Sequence, residues 1–525
     1  MKLRTLFFLL IFPLVSIGQN LPQITTKRTL YYNAGLAASI KHFDSLLNVL
    51  IVNRYKGKPD EAAFLKEYNF YEDLYRNQQQ KVAGLAEKWS FFSKDQTSKN
   101  INNALNLLTK GQLSLAISSF ELKLKNRNPE GSYKNDFIFL AELHAFKGDF
   151  PKAAAIYQKI ILSPGSDASD FLHVAETGNF IFGNSSLELP GYAQTDTIFL
   201  IRAKIEDSKR YALQGNINEA KAKLIEAQYL TDKFSVKDTI QKNLAATVFY
   251  QLGNLQEQSN DFENALNNNK AGAEVYQTLG DKPGYAAILR SQGIIYHRAG
   301  ANDKAEIAYQ ACLMEYELLM KQFPERYEPL YAIALEEYNE VLKWYDRYDP
   351  YEKNLRKLAE IRKQLMQTKY PFFAMDYART IDILGQKLLD VNLKIFLAEE
   401  QWFIARDVLV ALNDKNIMIA GDFLCKVLYK VGGVKISLKE HKEAIPSFSQ
   451  SLKVRDNLFK LAPLKNKPDL MNLLFQNAQL NNIANVDIEL TVAHLNRAKL
   501  LADELGEVKL SEEITVYTIG VLKKL

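Results

Sequence analysis

Six histidines and two cysteines are the side chains of this 525-residue sequence best suited to hold a metal or to attack a carbonyl carbon. They do not gather. His42, His144, His173, His297, His441 and His494 are scattered, and neither Cys312 nor Cys425 has the neighbours that a metal site or a thiolate nucleophile requires. His173 and Glu176 fall one helical turn apart, where a carboxylate could orient an imidazole, but such a pair arises by chance in many helical proteins. With 61 carboxylates in the chain, spacing selects no acid and base pair. The glycine-rich phosphate loop ending in Lys-Ser/Thr, the Gly-x-Gly-x-x-Gly dinucleotide turn and the His-Glu-x-x-His helix are all missing. The expectation is a protein that is not an enzyme and uses no metal and no cofactor.

What recurs instead is a spacing. Leu252-Gly253-Asn254-Leu255 followed by Asn260-Asp261-Phe262 and Ala265 is repeated, 40 positions on, by Gln292-Gly293-Ile294-Ile295 followed by Gly300-Ala301-Asn302 and Ala305. The second half returns as Gly111 with Ala116 and Phe120, as Gly148 with Ala153 and Tyr157, and as Gly215 with Ala220 and Leu224. Each block reads as two antiparallel helices. A small residue in the first helix (Ala104, Ala141, Ser208, Gly253, Gly293) admits the partner backbone. A left-handed residue closes that helix: Gly111, Gly148, Gly215, Gly300 and once Asn260. In the second helix, alanine and the residue four later share the packed face. Only 24 Gly and 15 Pro, with 47% hydrophobic and 24% charged residues, suit a packed helical protein rather than a β-rich or disordered one.

On these residues the chain resembles the tetratricopeptide repeat family, most closely over 101–160 and 200–320. The resemblance implies an all-α fold, a right-handed superhelical solenoid of antiparallel helix pairs. Tyr351, Asn354 and Leu358 look like a degenerate copy, as do Trp402, Ala405 and Leu409; Gly432 with His441, Ala444 and Phe448 restores a clearer one. Ala493 to Leu505 reads as a last second helix. Pro324, Pro329, Pro371, Pro463 and Pro468 are expected at joins between units. The expected organisation is a signal peptide at 1–18, an N-terminal helical cap at 19–100, repeats at 101–320, and longer degenerate repeats with a capping helix at 321–525. The glycine-rich stretch from Phe171 to Thr197 reads as a connection or a binding insert.

Stacked helix pairs of this kind line their concave face with the first helix of each pair. There the sequence places Arg202, Lys209, Tyr250, Asn254, Arg290, His297 and Arg298 as candidate contacts to a protein or peptide partner, Asn254 bonding its backbone and the arginines its carboxylates. Trp89, Trp344 and Trp402 fall in helical patterns and are expected in the core. Cys312 and Cys425 are expected as buried thiols, with a single inter-repeat disulfide as the alternative.

Lys2 and Arg4, the apolar run from Leu6 to Ile17 and the small residues Ser16-Ile17-Gly18 form a secretory signal, with cleavage expected before Gln19. The run is short for a membrane span, which needs about 20 apolar residues, and no cysteine follows it to accept a lipid. A soluble periplasmic or secreted protein follows. Removing Lys2 and Arg4 takes the formal net charge from +5 to +3, and with acids and bases interleaved no basic stripe for nucleic acid is present. The leading expectation is an exported interaction scaffold. A sensory input module would be followed by a spanning helix and effector domain, absent through Leu525. A glycan-binding outer-membrane component would need a lipid-bearing cysteine and more than three tryptophans.

Overall fold

A computed structural model describes residues 97–161, 163, 197–213, 215–233, 238–344, 348–369, 372–390, 394–415, 417–461 and 463–523, with 27, 30–38, 45 and ten positions between 78 and 92. The expected signal segment, the His173 and Glu176 pair, Pro371 and the stretch from Phe171 to residue 196 lie outside them, as does most of the expected cap.

Every regular element among the described residues is helical. The chain runs through α1 (Lys99–Thr109), α2 (Leu113–Leu124), a 3-10 turn, α3 (Lys134–Lys147) and α4 (Phe150–Ile161). It continues through α5 (Thr197–Leu213), α6 (Ile217–Asp232), α7 (Thr239–Gln258), α8 (Phe262–Leu279), α9 (Lys282–Arg298), α10 (Asn302–Gln322), α11 (Pro324–Trp344) and α12 (Tyr348–Lys369). The last part holds α13 (Phe372–Asp390), α14 (Ile395–Lys415), α15 (Ile417–Ser437), α16 (His441–Leu461), α17 (Pro463–Ile483), α18 (Ile488–Leu505) and α19 (Val508–Leu522). Within each of two units, helices adjacent in sequence pack on one another as antiparallel pairs. Contacts group the chain into two units, one within Met1–Ser39 and Gln80–Pro164 and the other within Ile40–Gln79 and Gly165–Leu525. In the second unit α10 packs directly on α11, so the longer helices after residue 320 continue the same array.

The turns show why the pairs form. Gly111, Gly148, Gly215 and Gly300 take φ of 71°, 89°, 80° and 76°, and Asn260 takes 60°. Each allows the same double closure, the left-handed residue bonding back three positions and its successor five. At Gly300 these bonds are Gly300 N to His297 O at 3.0 Å and Ala301 N to Tyr296 O at 2.8 Å, which satisfy carbonyls the helix end would otherwise orphan. Lys439 closes α15 in the same way at φ 62°, a lysine where the sequence offers no turn former. N-termini are capped in turn: Asp238 accepts from Gln241 N at 2.8 Å while the Gln241 side chain accepts from Asp238 N at 3.3 Å.

Between the helices of a pair, small residues meet large ones. Ala116, Ala153, Ala220, Ala265 and Ala305 are fully buried, as are Phe120, Tyr157, Leu224, Asn269 and Tyr309 four positions on. A β-carbon on Gly293 would stand 2.8 Å from the Tyr309 ring, and one on Gly385 2.8 Å from Trp402 Nε1. Gly432 similarly lies under the Phe448 ring.

Several sequence expectations need correction. Gly385 packs against Trp402, so Ala398, four residues before it, fills the alanine position rather than Ala405. In α12 the buried face runs through Tyr351, Leu355 and Leu358, with Asn354 only partly covered, so asparagine does not replace an alanine there. Pro324 and Pro463 open helices, but Pro329 and Pro468 sit inside α11 and α17. Each is the sixth residue of its helix, past the four amides that have no intrahelical acceptor, so its ring removes one backbone bond to the carbonyl four positions earlier. Trp89 and Trp402 are core residues at 1% exposure, whereas Trp344 is 74% exposed at the end of α11. Cys312 and Cys425 are free and buried, and burial pushes the Cys312 thiol up to about 12.

In the unit holding α1 to α4, Trp89 donates its indole N–H to Glu142 at 3.1 Å and packs against Phe139 and Phe146 at 5.0 and 4.7 Å. Lys88 neutralises that buried carboxylate at 2.7 Å.

Candidate functional site

All seven residues singled out from sequence lie on α5, α7 and α9, the first helices of three successive pairs. Those helices also touch one another directly, α5 on α7, α7 on α9, and α9 on α11. They therefore form a continuous face made of first helices alone.

Arg290 sits at its centre. Its Nε and Nη2 donate to Glu337 Oε2 and Oε1 at 2.8 and 2.6 Å, a two-pronged bridge from α9 to α11. Burial opposes the guanidinium charge, but the Glu337 carboxylate outweighs it and raises the pKa above its ordinary value. Arg298 makes the matching link in the other direction. It pairs with Glu257 on α7 and donates to Asn260 Oδ1 at 2.6 Å. Both arginines proposed to grip a partner's carboxylates thus already meet carboxylates of the chain itself, because adjacent first helices offer opposite charges one repeat apart.

Asn254 also has an internal role. Its Oδ1 accepts from Ser291 Oγ at 2.8 Å, and that hydroxyl accepts from Asn269 Nδ2 at 2.8 Å. Asn269 occupies the position that Leu224 and Tyr309 hold in the neighbouring pairs, and the chain of bonds carries its buried amide out to the face. Among the described residues no hydrogen bond leaves Asn254 Nδ2, which remains able to donate. Tyr250 is half-buried against Ala246 and Ile288. His297 Nδ1 lies 2.7 Å from Asn302 Oδ1, which accepts the ring proton and so fixes the tautomer. Arg202 is exposed on α5, and Lys209, 45% exposed, pairs at 2.5 Å with Glu206 of its own helix.

The structure thus links Asn254 to Ser291 and Arg298 to Glu257 across α7 and α9, with Arg290 bridged on to α11, while the bond of His297 runs to α10 and that of Lys209 stays on α5. Sequence reasoning missed Glu257, Glu337, Ser291 and Asn269. A signal for some of them was present, since paired opposite charges recur about one repeat apart: Glu257 with Arg298 at 41 positions, Glu317 with Lys357 at 40, Asp456 with Arg497 at 41.

Among the described residues no three or more His, Cys, Asp or Glu side chains converge as a metal site, and no helix is long and apolar enough to cross a membrane.

No family profile and no curated protein matches the chain. Solved structures do. A signal-transduction ATPase with a tetratricopeptide repeat sensor from Pyrococcus horikoshii is 12% identical, covering 87% of this chain and 72% of its own, at TM-score 0.42. Human IFIT1, a dimer with m7Gppp-AAAA, is 12% identical over 88% of this chain and 94% of its own, at TM-score 0.37. Aspartyl phosphate phosphatase F from Bacillus subtilis is 11% identical over 73% and 92%, at TM-score 0.34. Likeness of this degree transfers no function.

Proposed function

We propose that this chain is an exported, non-catalytic scaffold that holds an extended segment of a partner protein across the first-helix face of α5, α7 and α9. The supporting observation is the cross-linking of that face by Arg290 to Glu337, Arg298 to Glu257 and Ser291 to Asn254. Such rungs hold the surface in one shape before a partner arrives, which lowers the ordering cost of binding. Asn254 Nδ2 then bonds a peptide carbonyl, Tyr250 and His297 supply flat contact area, and the exposed Arg202 and Lys209 favour an acidic segment. Arg290 and Arg298 contribute by holding the helices in register and by leaving a partly exposed cationic edge, at 30% and 40% exposure. Export rests on Lys2, Arg4 and the apolar run to Ile17.

Affinity capture from the cell envelope, followed by titration of the identified partner, tests both parts. Tyr250→Ala with Asn254→Ala is expected to weaken binding at least tenfold; unchanged affinity would remove this face as the site. Mass spectrometry of protein from the extracytoplasmic fraction should find an N-terminus at Gln19. A chain retained in the cytoplasm with Met1 or Lys2 at its start would end the export reading.

A further inference from the structure

Helix α19 joins the array by one side. Ile514 and Val521 are buried, and Tyr517 is half-buried, in a core that α18 supplies through Leu495 and Leu501. Three contacts fix the rotation of the helix. Asn482 donates from Nδ2 to Tyr517 Oη at 2.7 Å, the Tyr517 ring stands edge-on to Phe475 at 5.8 Å, and Ser511 donates from Oγ to Asp503 Oδ1 at 2.5 Å. Each first helix from α7 to α17 packs on the helix before it and the helix after it, whereas α19 packs on α18 and, among the described residues, turns its other side to solvent.

That outer side is apolar along much of its length. Val508, Val516, Ile519 and Leu522 are 66%, 71%, 50% and 46% exposed. Val516 and Ile519 occupy the middle of one stripe, with the exposed Glu512 a turn before them and the exposed Lys523 a turn after. Along it the steps are four, three and four residues, which is the spacing of a seam between two packed helices. Neither Glu512 nor Lys523 is ion-paired among the described residues.

The order acid, apolar, apolar, base is its own complement when reversed. A second α19 laid antiparallel on the first, with a two-fold axis midway between residues 517 and 518, sets Glu512 opposite Lys523 and Val516 opposite Ile519. The axis repeats both pairs, so each charge and each apolar side chain on the stripe finds its match. A parallel arrangement would instead set Glu512 against Glu512 and Lys523 against Lys523. Gly520 adds no bulk at one border of the stripe, where a β-carbon would meet nothing within 4 Å.

We propose that the outer side of α19 is a self-association surface whose partner is α19 of a second copy of this chain, packed antiparallel in a two-fold dimer. Glu512 in the stripe disfavours a lipid surface, which would desolvate the carboxylate without a partner, and the reversed order of charges is what an isologous contact requires. Two helices of 15 residues bury less than the about 800 Å² per partner of a standard stable interface, so the dimer forms in the micromolar range. The face on α5 to α9 shares no residue with this one, and neither reading depends on the other.

Sedimentation velocity on the whole protein between about 1 and about 100 µM is expected to show a reversible shift from monomer to dimer. Glu512→Lys, and separately Lys523→Glu, sets like charges opposite one another twice and should weaken the dimer about tenfold or more. Mixing these two variants restores opposite charges at both pairs, and the heterodimer should form about as tightly as the original. Glu513→Lys makes the same change of charge near the helix start but lies off the stripe, so it should have little effect. Val516→Asp should abolish association while far-UV circular dichroism and the melting curve stay unchanged. Tyr250→Ala with Asn254→Ala should leave the dimer intact, which separates this result from the fate of the other face. A monomer at every concentration, including one that pellets with phosphatidylglycerol vesicles, overturns the proposal. So does a mixture of Glu512→Lys and Lys523→Glu that fails to associate, or equal weakening by Glu513→Lys.

Discussion

Replacing Gly293 by alanine isolates the packing rule on which the array depends. The added β-carbon would meet Tyr309 Cε2 and Cζ at 2.8 Å and Cδ2 at 2.9 Å, where ordinary contact begins at 3.4 Å, so helix and ring must part by about 0.6 Å. The ring has little room to yield: Tyr309 is 1% exposed and stacks on Tyr338 at 6.1 Å. Overpacking of this kind costs about 1 to 3 kcal/mol. Alanine is intrinsically better in a helix by about 1 kcal/mol, so Gly293→Ala nets a loss of about 0 to 2 kcal/mol. Gly433 supplies the control, because it also lies within a helix but a β-carbon there meets nothing within 4 Å. Gly433→Ala should gain up to about 1 kcal/mol from the same helix preference. Taken between the two variants, that preference cancels, leaving the 1 to 3 kcal/mol of overpacking. Urea unfolding followed by far-UV circular dichroism measures the difference, and amide exchange in α9 and α10 localises it. Adding Tyr309→Leu to Gly293→Ala should remove most of the extra cost relative to Tyr309→Leu alone. Equal stability of the two alanine variants, or no coupling to Tyr309, would refute the reasoning.

Ala305 is fully buried and Lys304 is exposed, so Ala305→Leu should lower stability by about 1 to 3 kcal/mol and Lys304→Leu should not; matching melting curves would contradict the assigned register. Arg290→Ala should cost about 1 to 3 kcal/mol by leaving Glu337 half-buried without its partner. The double variant with Glu337→Ala should lose less than the sum of the single losses, and strict additivity in denaturant melts would show that the bridge is not a coupled unit. His144, 1% exposed, has its pKa lowered by burial, despite Asp149 and Glu121 nearby. The unfolded chain therefore takes up a proton first as pH falls, so this contribution is fully present above the ordinary value of about 6.5 and is lost on descending through the lowered folded value. Melting curves from about pH 7 down to about pH 5 should show the loss, and His144→Phe should flatten it; an unchanged slope in that variant would place the pH dependence elsewhere.

On α7 and α9 the polar groups are mostly turned to one another, which favours a broad surface held rigid. At α15 to α17 the buried Arg455 ties three helices together through Asp422, Asn466 and Asp469.

The sequence by itself determined the helical class, the pairing of consecutive helices and the turns at Gly111, Gly148, Gly215, Asn260 and Gly300. These are local matters, since a left-handed residue or an alanine four positions before a ring acts within a few residues of chain. Tertiary structure decided which large side chain meets which small one. Ala398 and Ala405 lie two turns apart on nearly the same face, and only the position of Gly385 on the facing helix shows that Ala398 with Trp402 forms the pair. It also decided that Arg290 and Arg298 are spent on Glu337 and Glu257, that Trp344 stands in solvent, and that the buried Arg455 is bonded to Asp422 and Asn466. Those outcomes depend on the register between different helices, which side-chain spacing along one helix does not set.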